Sequence, residues 1–213
     1  MNLRMNPKKL LQTISSGKGG IIMKVHGYRE SFETGREAEL VVLKWLEKKF
    51  PEYKVPDVSK NPDFYGPDID ALIVPPELTK EIWDGDYPFP PNYFVLWLEG
   101  RCLLAVEIKK DRWDVPLKFR TQNFAYEKIS HTTYGTLGCH RKTQADVLIH
   151  VSSDLKRLLY IDDVLAFREW CESYIKQHPE REQAIPNEDK MTLVHLIELS
   201  EMMKQPWIRE EKI

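Results

Sequence analysis

Cysteine is scarce in this chain. The 213 residues hold three, Cys102, Cys139 and Cys171, odd in number and far apart. That spacing excludes a disulfide framework and fits a reducing compartment. No C-x-x-C or H-x-x-x-H partner follows the Cys139-His140 step of "GCHRK", so no zinc site is spelled out. "SSGKGG" lacks the earlier glycine of a phosphate-binding loop, and the Ser or Thr that would follow Lys18. "DGD", at 84–86, lacks the remaining ligands of a calcium loop. There is no apolar run long enough to span a bilayer and no signal-peptide segment, so a cytoplasmic location without a membrane partner is expected. Repeats and low-complexity segments are also missing.

What is present suits a folded domain with a sizeable core: 42% of residues are hydrophobic, 30% are charged, and the net charge is only -2. The sign is unevenly spread. Before Glu30 there is no acid, only Arg4, Lys8, Lys9, Lys18, Lys24 and Arg29, whereas the region from Pro179 to Asp189 leans acidic. A basic arm can hold a phosphate backbone, and such runs are also common as solvated termini. The expected organisation is a basic arm over 1–30, a core domain over 31–178 and a helical extension over 179–213.

"TGREAELVVLKWLEKKF" has apolar residues at 38, 41, 42, 45, 46 and 50 and stops at Pro51, which predicts a core-facing helix from Thr34. Thr34 and Glu37 also match a capping box. "YKVPDV" and "PDIDALIV" predict strands, and the proline-rich segment 77–92 a surface excursion whose aromatics pack on the domain or stack on bases. "NYFVLWLEGRCLLAVEIKK" predicts two strands joined at Glu99-Gly100. "TQNFAYE", "ADVLIHV" and "RLLYI" follow as extended segments. A helix capped by Asp162 or Asp163 and a final helix over 189–204 complete an α/β pattern. The single histidines His131, His140 and His150 lack ligand spacing and suit polar surface or core roles.

Chemistry concentrates where two strands end. Side chains alternate along a strand, so Glu107 and Lys109 of "LLAVEIKKD" share a face, roughly 7 Å apart. The same rule puts Asp68 and Asp70 of "PDIDALIV" on one face. If the strands are neighbours, an oxygen-rich site forms with a lysine at its edge. Hard oxygen donors select Mg2+, with Mn2+ as substitute, over zinc. Such an ion activates water for phosphodiester attack, and Lys109 would orient that water or neutralise the transition state. Lys118, Arg120, Lys128, Arg141 and Lys142 line a phosphate track or solvate a helix face.

These residues resemble a known signature. "PDID" at 67–70 followed by "EIK" at 107–109, with Glu37 on the preceding helix, is similar to the PD-(D/E)XK nuclease superfamily over about residues 35–151. The resemblance implies a restriction-endonuclease-like α-β-β-β-α-β core with a mixed central sheet flanked by helices. It implies Asp68, Glu107 and the Ile108 carbonyl as metal ligands, Lys109 as catalytic lysine and Glu37 as auxiliary acid. Related nucleases with a Gly-Ile-Asp pattern would instead use the position of Asp70, and the choice stays open. "TQNFAYE" and "TQADVLIHV" resemble further pieces of phage and bacterial members, which would bring Gln122, Asn123 and Glu127 to the site. The implied function is Mg2+-dependent DNA cleavage, or, in another class, DNA binding or assembly without hydrolysis. A branched-DNA resolvase and a restriction-type enzyme would both be expected to form homodimers.

Overall fold

The computed structural model describes residues 28–81, 93–111, 113–114, 122–187 and 190–213. The arm up to residue 27, the "DGD" stretch, most of the aromatic excursion, Lys118 and Arg120 lie outside the described residues.

Helix α1 spans Tyr28–Lys49, beginning upstream of Thr34. Thr34 is therefore inside the helix and not at its N-cap, the position the capping box expected of Thr34 and Glu37 requires. Good helix formers before Thr34, among them Arg29, Glu30 and Glu33, carry the helix backward and it tolerates Gly35. Its apolar stripe, Ala38, Val42, Trp45 and Leu46, covers one face of a five-stranded sheet. The strands of that sheet are β1 (Ala71–Ile73), β2 (Leu104–Lys110), β5 (Val147–Val151), β6 (Arg157–Ile161) and β9 (Ile208–Lys212), side by side in that order. β2 and β5 run parallel, and the other three pairings are antiparallel. The result is a mixed α/β sheet flanked by helices.

A second, wholly antiparallel sheet is made by β3 (Asn123–His131), β4 (Thr136–Leu137), β7 (Glu182–Asn187) and β8 (Lys190–Glu198), in the order β4-β3-β8-β7. "TQNFAYE" is thus a strand, as expected, but outside the central sheet. Helix α5 (Val164–Gln177), capped by the Asp163 carboxylate on the Ala166 N–H at 2.9 Å, buries Phe167 and Cys171. These pack with Phe124, Tyr126 and Ile197 of the second sheet and with Leu148, Leu159 and Ile161 of the first. The five-stranded sheet is therefore covered by α1 on one face and by α5 with the second sheet on the other.

"YKVPDV", expected as a strand, forms only isolated bridges, Lys54 to Val74 and Asp57 to Ala71, and two further expected elements change type. Tyr93–Leu98, expected as a hairpin strand, is helix α3; α2 is Pro76–Glu81. "YFVLWL" is a continuous apolar run, which has no period to separate strand from helix. Its burial is helical: Phe94 and Trp97 pack around Phe64, while Val95 and Leu98 are exposed. Gly100, read as a hairpin turn, instead ends this helix at φ 66°. The Arg101 N–H reaches the Leu96 carbonyl and the Gly100 N–H reaches that of Trp97, which is the Schellman closure that glycine permits. The helix expected over 189–204 is strand β8 followed by the short α6, Leu199–Met202. β8 lies between β3 and β7 and is buried on both faces from Val194 to Ile197, which blurs its alternation. Residues 179–213 are accordingly not a helical extension: they supply two strands to the second sheet and the edge strand β9 to the first.

Candidate functional site

β2 alternates as the sequence predicts. Val106 and Ile108 enter the cluster beneath α1, with Val147 and Ile149, and Ala105 enters the opposite cluster. Glu107 and Lys109 share the face of Ala105, beside Leu148 and His150 of the parallel neighbour β5. Glu107 is 1% exposed. Its Oε1 forms an ion pair with the Lys109 ammonium, which keeps part of its stem at the surface.

Asp70 is brought to Glu107 by the β1–β2 pairing. Its N–H donates to the Val106 carbonyl at 2.9 Å, and its Oδ2 accepts from the Ile108 N–H at 2.9 Å. What Ile108 contributes here is that N–H, while its side chain is core. Asp68 comes by another route, because "PDIDALIV" is strand only from Ala71. It sits in a turn at φ 60°, a left-handed conformation that Asp tolerates better than most residues, with its N–H on the Phe64 carbonyl at 2.9 Å. The two aspartates therefore do not share a strand face, yet both their charges reach Glu107.

Burial pushes the Glu107 carboxyl well above the ordinary carboxylate range, opposed by Lys109 and reinforced by Asp70 and Asp68. Burial likewise raises Asp70, opposed by Lys109 and by the Ile108 N–H. Burial works against the Lys109 ammonium, but the acids Glu107, Asp68 and Asp70 outweigh it and keep the lysine charged. Two ammoniums, Lys109 at Glu107 and Lys142 at Asp68, face three carboxylates, and burial and mutual repulsion both favour the protonated form of the Asp70–Glu107 pair.

A short helix, α4 (Cys139–Lys142), closes one side of the cluster. Gly138 is required at its start: a Cβ there would lie 2.3 Å from the Glu127 carbonyl oxygen of β3. The contact brings the Cys139 thiol to the Glu127 carboxylate at 3.4 Å, where burial raises the thiol and Glu127 raises it further. His140 and His150 are buried with their Nε2 atoms 3.1 Å apart and rings nearly parallel. His140 Nδ1 accepts the Glu127 N–H at 2.8 Å, so its proton resides on Nε2 and is donated to His150. His150 then carries its proton on Nδ1, 3.8 Å from the Asp111 carboxylate. Burial lowers both, His140 to about 3 and His150 well below its ordinary value, so both are neutral core groups, in the polar role expected of them.

The remaining sequence candidates are scattered. Glu37 is 67% exposed and faces Lys110 at 3.8 Å, on the α1 side of the sheet, so the structure does not bring it to the cluster. The helical acid whose charge reaches Asp70 is Glu39, two residues on, tied to Arg36 at 2.6 Å and to Ser59 at 3.2 Å. The i, i+2 ambiguity in "GREAE" conceals this in the sequence. Gln122 is exposed, with its amide on the Asp114 carbonyl. Asn123 is buried and accepts from Arg181 at 3.2 Å. Arg141 is held bidentately by Glu172, with both contacts at 2.7 Å, and Lys142 turns inward onto Asp68.

Among the described residues, no three His, Cys, Asp or Glu side chains stand gathered as a ready metal-ligand set. The donors at hand are nevertheless hard oxygens, and two of them suit a cation. Asp68 Oδ2 is buried without a hydrogen-bond partner, and Glu107 Oε1 meets only the Lys109 ion pair. No helix among the described residues is long and apolar enough to cross a membrane. Comparison with family models, with curated proteins and with solved structures finds no match for this chain.

Proposed function

We propose that the chain is a metal-dependent nuclease that hydrolyses DNA phosphodiester bonds, with the restriction-endonuclease-like core that "PDID" and "EIK" suggest. The observation that carries this reading is the almost fully buried Glu107, with Lys109 on the same strand face and with Asp70 and Asp68 delivered to it from a separate segment. A buried Glu107 beside two half-buried aspartates, with Lys109 and Lys142 as the cations at hand, is costly for a structural core and matches a site that awaits positive charge. Glu107 with Asp68 or Asp70 would hold Mg2+ or Mn2+. A bound ion of this kind supplies an activated water and charge stabilisation at the phosphate. The chain's own groups would do the rest: the Ile108 N–H orients Asp70, and the Lys109 ammonium would be available to neutralise charge on the phosphate.

A second reading, a silent nuclease-like module that binds DNA or organises an assembly, is favoured by the Lys109–Glu107 ion pair, in which the lysine itself neutralises the buried acid. One experiment separates the two. Single-stranded, duplex and branched DNA are incubated with the wild-type protein and with Lys109→Ala in Mg2+ and in Mn2+. Divalent-dependent cleavage that falls about 100-fold or more in a folded Lys109→Ala protein supports the enzyme. Unchanged cleavage in that variant would remove Lys109 from the mechanism, and binding without cleavage of any substrate would favour the module.

A further inference from the structure

Asp68 is gripped from a segment 74 residues away. Lys142 Nζ donates to Asp68 Oδ1 at 3.2 Å and to the Tyr65 carbonyl at 2.7 Å. The Thr143 hydroxyl donates to the Asp68 carbonyl at 2.8 Å, and the Gln144 N–H to that of Pro67 at 2.7 Å. Three consecutive residues thus hold the turn that carries Asp68 in its left-handed conformation. The gripping segment is itself anchored. Arg168 of α5 donates to the His140 carbonyl at 2.7 Å and to the Thr143 carbonyl, while Glu172 of α5 holds Arg141.

The consequence falls on the two oxygens of one carboxylate. Lys142 occupies Oδ1. Oδ2 is left buried without a protein partner. A carboxylate with one oxygen engaged and the other buried and open is set for a positively charged ligand on the open side. On the nuclease reading above, we propose that Lys142 is a positioning residue: it holds Asp68 so that Oδ2 faces the divalent cation, and it is not a contact to the DNA backbone.

The test measures Mn2+ binding to the DNA-free protein by titration calorimetry, alongside DNA affinity without divalent ions. Lys142→Met is expected to weaken Mn2+ binding about 10-fold, the usual scale for groups that orient a ligand. Lys142→Arg, which keeps the donor, retains wild-type binding, and DNA affinity is the same in all three proteins. In an Asp68→Asn background, Lys142→Met adds nothing, because the carboxylate it serves is gone. Thermal midpoints confirm folding, and if Lys142→Met does not fold, Lys142→Gln carries the comparison. Mn2+ binding in Lys142→Met equal to or tighter than wild type overturns the proposal, as does a loss confined to DNA affinity. A wild-type protein that binds no Mn2+ overturns the nuclease reading itself, a result distinct from failure of the Lys142 role.

Discussion

Gly138→Ala tests how the site is assembled. The backbone at this position, φ -69° and ψ 160°, is open to alanine. By itself the change would stabilise by about 0.4–1 kcal/mol, through a less flexible unfolded chain. The contact works the other way. An added Cβ would meet the Glu127 carbonyl oxygen at 2.3 Å and its carbon at 2.6 Å, both backbone atoms that no rotamer change can move. α4 must lift off β3 by about 1 Å, and overpacking of this kind costs about 1–3 kcal/mol. The shift also strains the Gly138 N–H bond to the Lys128 carbonyl at 3.0 Å and the Glu127 N–H bond to His140 at 2.8 Å, each worth about 1 kcal/mol net. Contact outweighs entropy, and the net expectation is a loss of about 2–4 kcal/mol. Urea unfolding reads this as a midpoint lowered by about 1 M with an unchanged slope. Stability equal to or above wild type would refute the close seating of α4 on Glu127, and with it the placement of Cys139 and Lys142.

Other outcomes follow from the buried titrating groups. Long-range 15N spectra should show His140 protonated on Nε2 and His150 on Nδ1, both neutral from pH 8 to 5, and a ring titrating near pH 6.5 would break the relay. Because the folded value of His140 lies near 3, below the unfolded one, the unfolded chain takes up protons first. The stability this histidine contributes is full above about pH 6.5 and falls by about 2 kcal/mol by pH 5. Glu107 acts with the opposite sign: its raised carboxyl keeps a proton that the unfolded chain has released, so its contribution declines as pH rises above about 4.3. Glu107→Gln should abolish that decline in the metal-free protein, and an unchanged pH slope in urea unfolding from pH 5 to 8 would show that Glu107 is not the burdened group.

Much of the central sheet was legible in the residues. The 3.6-residue stripe of α1, the alternation of β2, the apolar runs of β5 and β6 and the Asp163 cap all obey local rules, and each is in place. Legibility failed where a run had no period, as in "YFVLWL", or was buried on both faces, as in β8. In the candidate site, Glu107 and Lys109 share a strand face because they are two residues apart, and that much is arithmetic. Glu39 was hidden by Glu37, since helix orientation against the sheet decides which acid points where.

The sequence by itself determined which side chains share a strand or helix face, because that depends only on backbone period. Tertiary structure decided what each face meets. Two sheets form where one was expected, because β3 finds its partners in β8, more than sixty residues later, and not in β2. The His140–His150 contact and the Lys142 grip on Asp68 likewise join groups from separate elements. Such pairings reflect the burial of whole surfaces against one another, and no local spacing encodes them.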